Sequence, residues 1–451
     1  MRAPFSPKRL AAGLLCAGLI LPCGSAFAMG LMEAYNLALQ NDPAYQSGIH
    51  EHDAGSENRE LAKSNLLPVL SMNYSGARNF ATSSQVYPGQ GSLTTYPHYV
   101  SSTSSLNLRQ PLYAPDNMAR YHEGMAQADY SDVQFSSHQQ DLLMRLTSAY
   151  VDALYARDNL ALVTSQRDTL LEQRQVNDRM FKEGEGTKTD MLETQAKLDL
   201  AEAQLIEAKD GHSTNFQALQ AIVGVEIKSL DGLVGTFEPQ PLQPSDFESW
   251  RAIALAHNPD IAAQRVAVEV AKDEVAKNRA GHLPHMDFVA SLGKDNASSI
   301  DTYTTDSTVR SYGVEITIPL YAGGSVSALT RQAVAQYEKA KSDLDDKTNQ
   351  VMLDMHKQHY SVLSSIAKIA ALEKSVESAK LLVTATKLSI KGGVRINLDL
   401  LNAEQQQYVA QRDLAQARYT YMVSSLRLRA DAGVLGVDDL RTVAANFSSA
   451  Q

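Results

Sequence analysis

His356 and His359 stand three residues apart, a spacing that puts both on one side of a helix, where two imidazoles could hold a metal ion. No third ligand accompanies them. His50 and His52 are two apart and point to different faces of a helix. Residues 184–189, Gly-Glu-Gly-Thr-Lys-Thr, superficially resemble a phosphate loop, but they lack the adjacent Gly-Lys-Ser/Thr and a preceding strand. There is no nucleophile elbow and no acid–base constellation. The only cysteines are Cys16 and Cys23. These residues identify no catalytic group, no metal site and no cofactor, and the chain reads as a protein that is not an enzyme.

The elements around these residues say more. Arg2, Lys8 and Arg9 precede an apolar run over 10–21, and Ala26-Phe27-Ala28 places small residues where a signal peptidase inspects them. This pattern predicts a secretory signal, residues 1–28, cleaved after Ala28. Both cysteines fall inside it, so the mature chain would have no thiol. A rival use of Cys23 as a lipidated first residue is disfavoured by the preceding Leu21-Pro22. The formal charge is −10, and removing a basic leader makes the remainder more acidic still. Such a chain is a poor nucleic-acid binder, because phosphates call for basic patches. No run after residue 28 approaches the apolar length of a spanning helix, so entry into a membrane would have to use β-strands.

The chain is written twice. Ala38-Leu39-Gln40-Asn41-Asp42-Pro43 returns as Ala254-Leu255-Ala256-His257-Asn258-Pro259. Leu67-Pro68 returns as Leu283-Pro284, and Pro111-Leu112-Tyr113-Ala114 as Pro319-Leu320-Tyr321-Ala322. Gly184 with Asp190 answers Gly393 with Asp399, and Val223-Gly224 answers Ala432-Gly433. The order is kept throughout. The expected organisation is a first repeat over 29–238, a Pro-rich linker over 239–247 ahead of the lone Trp250, a second repeat over 248–436 and a C-terminal tail over 437–451.

Each repeat has one grammar: a helix into Leu-Pro, two alternating segments, then two long helices joined at a glycine-containing turn. Leu70, Met72 and Tyr74 alternate with Ser71, Asn73 and Ser75; Leu106 and Leu108 alternate with Asn107 and Arg109. In the second repeat Met286, Phe288, Ala290 and Leu292 form one set, and Tyr312, Val314, Ile316 and Ile318 another. Period two means strands with one apolar and one polar face. The Ser-, Thr-, Tyr- and Gly-rich connections over 79–98 and 295–308 read as polar loops. Periodicity alone leaves a membrane hairpin and a soluble amphipathic hairpin equally open.

From 116 to 182 there is no proline, and the only glycine is Gly124. Leu142, Leu146, Ala149, Ala153, Ala156, Leu160 and Val163 form a heptad seam, as do Ala410, Leu414, Ala417, Tyr421, Ser424 and Leu428. A helix of ~65 residues is about 100 Å long, which suits bridging a gap better than building a compact core. A dimeric soluble coiled coil would carry the same seams. Four strands cannot close a barrel, and an open edge cannot face lipid. Membrane strands would therefore have to be shared among copies: two chains give eight, three give twelve, and the arithmetic does not choose.

The repeats resemble the TolC family of outer-membrane efflux and secretion ducts. The resemblance is carried by Asn41-Asp42-Pro43, Leu66-Leu67-Pro68, Gly281-His282-Leu283-Pro284, Ile318-Pro319-Leu320-Tyr321-Ala322-Gly323-Gly324, Gly393-Val394-Arg395 with Asp399-Leu400-Leu401, and residues 414–421. It covers the whole chain after the leader, in order. It implies a mainly α fold with a small β part: a long α-helical coiled-coil barrel, plus four strands contributed to a shared transmembrane β-barrel, twelve-stranded in a homotrimer. It implies an outer-membrane location with a large periplasmic portion. The implied partners are outer-membrane lipid, a periplasmic adaptor, and an inner-membrane ABC or efflux transporter. Phe181-Lys182-Glu183-Gly184 and residues 190–195 look like the branch that exports proteases and lipases in one step (type I); multidrug efflux is the nearby alternative.

The resemblance also gives Asp190 and Arg395 a role as contacts holding the periplasmic entrance shut, where an Asp–Arg latch would contribute at most about 1 kcal/mol per copy. The competing reading of Asp190 is that it favours the start of its helix. Asp399 matches a position lining the constriction, where symmetry would make a cation-attracting ring. Two positions depart from the family: Asn402 replaces a second acid, and Ile390 replaces a tyrosine.

A protein of another class, a soluble periplasmic coiled-coil adaptor or scaffold, would also carry these seams. The strands separate the two. Phe288, Leu292, Val314 and Ile316 should face lipid in a duct. Phe288→Lys or Ile316→Lys is then expected to abolish the heat-modifiable, membrane-inserted form; normal assembly of both variants would remove the barrel.

Overall fold

The computed structural model describes residues 28–89, 91–234, 237–298 and 304–448. The expected signal, including Cys16 and Cys23, lies outside them apart from Ala28. The first repeat begins with three helices, α1 (Leu31–Asn41), α2 (Pro43–Ser56) and α3 (Asn58–Ser64). Strands β1 (Val69–Phe80), β2 (Ser83–Tyr87), β3 (Gly91–Thr95) and β4 (His98–Tyr113) follow, then α4 (Pro115–Glu183), α5 (Lys188–Val223) and the short β5 (Gly232–Leu233). The second repeat reads α6 (Phe247–His257), α7 (Pro259–Ala280), β6 (His285–Ser298), β7 (Thr304–Thr317), α8 (Ser325–Lys391) and α9 (Asn397–Asp431). The chain continues into α10 (Val437–Ala444) and β8 (Phe447–Ser448).

The recurring sequence signals are helix punctuation. Asp42 accepts a hydrogen bond from the Tyr45 N–H at 2.9 Å, and Asn258 accepts one from Ile261 at 2.9 Å. Each caps a helix whose first residue is proline, where a missing N–H costs nothing. Leu67-Pro68 and Leu283-Pro284 mark the passage from helix to strand in the two repeats. The 69 residues of α4 span about 100 Å. Its upper part packs against α2, α3 and α7, and its lower part against α5. Leu142, Leu146, Ala153, Ala156 and Val163 of its seam are buried, as are Ala410, Ala417, Tyr421, Ser424 and Leu428 on α9. Each fully buried leucine contributes about 2 kcal/mol.

A four-stranded antiparallel sheet has the order β1–β4–β6–β7, so the repeats join at β4–β6. Arg109 and Asp287 form an ion pair across that junction. β1 and β7 are sheet edges. The expected loop over 79–98 is mostly strand: β1 reaches Phe80, β4 begins at His98, and β2 and β3 form a hairpin between them. Ser101, Thr103 and Ser105 are polar but lie in register with Ala77, Ser75 and Asn73. Of 295–308, β6 reaches Ser298 and β7 resumes at Thr304; residues 299–303 lie outside the described residues.

Two regions depart from their sequence reading. Phe247, expected as the last linker residue, begins α6, and Trp250 is buried with its Nε1 donating to the Pro244 carbonyl at 2.7 Å. Residues 437–448, expected as tail, fold back. Leu440 and Phe447 enter the main core, the Phe447 ring lies 5.5 Å from that of Tyr150, and β8 pairs with β5. The apolar side chains of this segment bury more surface than a solvated tail could.

Each repeat is closed by the same device. Asn41 Nδ2 donates to the Val223 carbonyl at 2.9 Å, and Asn258 Nδ2 donates to Asp431 at 2.8 Å. The chain then turns on a glycine in the left-handed region, Gly224 (φ 77°) or Gly433 (φ 73°). A Cβ on Gly433 would stand 2.2 Å from the His257 carbonyl oxygen. Gly433→Ala is therefore expected to cost roughly 2–4 kcal/mol, combining left-handed strain with overpacking against backbone. A denaturant titration showing no loss would disprove the close approach.

Candidate functional site

The lower ends of the four long helices carry the candidate entrance residues. α4 ends at Gly184 (φ 81°), whose left-handed conformation lets the chain reverse into α5. Gly393 (φ 72°) does the same between α8 and α9. Asp190 sits in the first turn of α5. Its Oδ2 accepts from the Thr187 N–H at 3.4 Å and from the Thr187 hydroxyl at 2.6 Å, and its N–H donates to Thr187 Oγ1 at 3.1 Å. This is a capping box. Arg395 lies nearest Asp399, at 3.9 Å, with both side chains solvent-accessible. Within one chain Asp190 and Arg395 are therefore not paired: Asp190 does what the helix-start reading expected, and any latch between them would have to join two copies. Ile390 is half-buried and its carbonyl accepts from Gly393 N–H at 2.9 Å; Asn402 is exposed.

A different group ties these helices together. Thr194 of α5 is fully buried. Its Oγ1 accepts from Asn177 Nδ2 of α4 at 2.8 Å and from Asn397 Nδ2 of α9 at 3.2 Å, and it donates to the Asp190 carbonyl at 2.8 Å. One hydroxyl thus joins three helices of two different hairpins. Just above it Leu170, Leu198, Ala201 and Leu401 form a small apolar layer. Gln166 donates to Gln405 at 2.8 Å, and Lys387 pairs with Glu404 at 2.9 Å around a cleft of about 230 Å³. Sequence reasoning missed this relay. Polar residues at helical spacing ordinarily face solvent, and the only hint was that Thr194 and Asn177 fall in line with apolar seams.

The remaining candidates are placed by register. Phe288 pairs with Val314, Met286 with Ile316 and Leu292 with Arg310. Directly paired residues share a face, so Phe288, Leu292, Val314 and Ile316 lie together with Leu70, Met72, Leu106 and Leu108 on one apolar face. Ser71, Asn107, Asp287, Ser291 and Glu315 take the other. His356 and His359 pack around Phe247, with ring centroids at 5.1 and 5.7 Å, and His359 Nε2 lies 3.2 Å from the Ser245 carbonyl.

The far end of α9 carries a perturbed carboxylate. Burial, then the nearby Asp354 and Asp260, push Asp431 up to about 6, against the opposing effect of Arg427. Its folded-state pKa lies above the ordinary 3.8, so the folded protein gains stability as pH falls from about 6 towards 4 and is penalised above that range. Asp431→Asn is therefore expected to raise the melting temperature at pH 7.5 and to lose that advantage near pH 4. An equal effect at both values would disprove the assignment.

This geometry matches known proteins over its whole length. The model of the family described as outer membrane efflux protein matches residues 34–225 and 250–434, leaving out the segment around the linker. The alkaline protease secretion protein AprF of Pseudomonas aeruginosa is 44% identical over 446 residues, covering 98% of this chain and 92% of the relative. The proteases secretion protein PrtF of Dickeya chrysanthemi is 37% identical, covering 98% and 96%. Among solved structures, the CmeC outer membrane channel of Campylobacter jejuni superposes with a TM-score of 0.79 at 16% identity, covering 99% of this chain and 98% of that one. The chain belongs to the outer membrane efflux protein family and is an outer-membrane channel protein with a long periplasmic part.

Proposed function

We propose that three copies of this chain form the exit duct of a type I secretion system, passing proteases or similar proteins across the outer membrane. The observation that carries this reading is a pair of unpartnered edges at both levels of the molecule. In the sheet they are β1 and β7. In the helical part, α4 packs on α5, α9 on α4 and α8 on α9, so α5 and α8 are left as the outer members. Both outer helices expose apolar side chains: Leu192, Leu200 and Ile206 on α5, and Leu353, Tyr360, Leu381 and Leu388 on α8. The α8 set keeps a heptad spacing, as expected of a seam awaiting a partner helix. Closing α8 of one copy on α5 of the next, and β7 on β1, covers every edge with one rotation, and twelve strands are within the ordinary range for a membrane barrel.

The protease-secretion relatives support the cargo class, and their higher identity than that of an efflux relative favours it over efflux. Val394 and Ile396 stand exposed at the α8–α9 turn and would meet a periplasmic adaptor, which in turn would connect the duct to an inner-membrane ABC transporter. Asp399 and its copies would surround the constriction. Chemical crosslinking of detergent-extracted outer membrane should count three subunits, and deleting the gene should abolish secretion of a protease by its cognate transporter. A soluble monomer or dimer would overturn the duct and promote the scaffold. Intact protease secretion with lost drug resistance would transfer the protein to efflux.

The closed entrance in this reading rests on the Thr194 relay, with Asp190 and Arg395 acting between copies. Thr194→Val removes the acceptor and strands two amides, a loss of about 1–3 kcal/mol per copy. It is expected to raise single-channel conductance in planar bilayers more than Asp190→Ala with Arg395→Ala does. The reverse order would put the latch back on the ion pair.

A further inference from the structure

The apolar face of the sheet ends in cations on the side remote from the helices. Arg310 on β7 pairs directly with Leu292 on β6, and Lys294 is the next residue of β6 on the same face, directly opposite Thr308 and Ser104. Arg310 and Lys294 are diagonal neighbours across two strands, about 7–8 Å apart at the backbone, so both side chains can reach one anion. Level with Arg310 on the same face lie Leu292 and Leu106, and Tyr312 lies one row beneath it. Asp306 lies 3.7 Å from Lys294 on the outward side, and both side chains are more than half exposed. Arg310 is exposed and has no ion-pair partner among the described residues.

Depth fixes what such a pair would meet. A strand tilted by about 40° climbs roughly 2.5 Å per residue. Arg310 therefore lies about 20 Å above Ile318, the exposed apolar residue where β7 gives way to the helices, against an apolar band of about 25 Å. An arginine at that level reaches outward to the headgroups rather than into hydrocarbon. The helices define the periplasmic side, so these headgroups belong to the outer leaflet.

We infer that Arg310 and Lys294, with the hydroxyls of Thr308 and Ser104, form a binding site for a phosphate of an outer-leaflet phosphoglycolipid, whose acyl chains lie on Leu106, Leu292 and Tyr312. Guanidinium and ammonium supply two charge-assisted contacts; the Thr308 hydroxyl, and that of Ser104 on exchanging the Lys294 carbonyl it meets at 3.4 Å, can donate to remaining phosphate oxygens, and Asp306 weakens the site by competing for Lys294. The inference rests on the duct reading, in which this face meets lipid.

The test uses the detergent-extracted wild-type oligomer, titrated with diphosphoryl lipid A and followed by native mass spectrometry. Lipid A stripped of phosphate, phosphatidylglycerol and inorganic phosphate serve as comparison ligands. Diphosphoryl lipid A is expected to bind at least ten times more tightly than the stripped form. Arg310→Gln with Lys294→Gln should remove that advantage, and Asp306→Asn should increase it. Equal binding of the stripped lipid, or undiminished binding by the double variant, would overturn the site. Equal binding of phosphatidylglycerol would overturn its assignment to the outer leaflet, and binding of inorganic phosphate alone would overturn the lipid. Val314→Lys separates the two levels: if it assembles normally, the lipid-facing sheet itself fails; if it does not assemble while the double variant binds as before, only the phosphate site fails.

Discussion

Hydrocarbon offers a β-strand no hydrogen-bonding partner, and each backbone group left unpaired there costs several kcal/mol. A sheet of four strands with free edges at β1 and β7 cannot meet that condition in one copy. The requirement reaches beyond the sheet. β4 runs almost directly into α4, and β7 reaches α8 through residues 318–324, so whatever closes the sheet also sets where α4 and α8 begin their descent. The helices then face the same geometric problem in water, with apolar side chains on α5 and α8 that no described helix of their own chain covers. One rotation between copies answers both, and this is why the small β part governs a molecule made chiefly of helix.

The two repeats are held by different means at different levels. At the sheet, the β4–β6 ladder and the Arg109–Asp287 pair join them. Below it Lys277 of α7 reaches Glu123 of α4 at 2.9 Å. Farther down, Tyr419 of α9 donates to Asp158 of α4 at 2.6 Å, and near the tips the polar ties between the hairpins among the described residues are neutral amides and a hydroxyl. The polar ties are therefore spread along the whole molecule, and the lowest of them carries no formal charge. Burial supports the choice of a neutral group there, because an ion pair lifted out of water gains little net stability.

Much of this architecture was readable from residue order. Proline after Asp42 and Asn258, glycine at 224 and 433, the proline-free run over 116–182 and the heptad seam over 142–163 are local signals whose physical meaning survives folding. Strand ends were not readable. Residues 83–87 and 91–95, within the expected loop, have the composition of a loop, and only their pairing with each other makes them strand. Residues 437–448 read as a tail because one eight-residue helix is too short to stand out, although Val437, Leu440 and Ala444 keep its spacing; the burial of Leu440 and Phe447 depends on a core built by distant helices. The entrance was legible as a place but not as a set of contacts. Asp190 had two uses, and the chain's own geometry satisfies the local one. The relay needed residues from three helices, Asn177, Thr194 and Asn397, whose meeting no sequence spacing announces.

The long helices match in length across the repeats: α4 and α8 have 69 and 67 residues, α5 and α9 have 36 and 35. Their turns must finish level for Asn397 to reach Thr194. A heptad removed from one arm would put its turn about 10 Å out of step and break the seam of every neighbour. Removing the same heptad from all four arms would leave every contact in register and only shorten the descent. The arms of each pair differ by no more than two residues, so a large change in the reach of such a molecule has to come in matched steps taken by all four arms together.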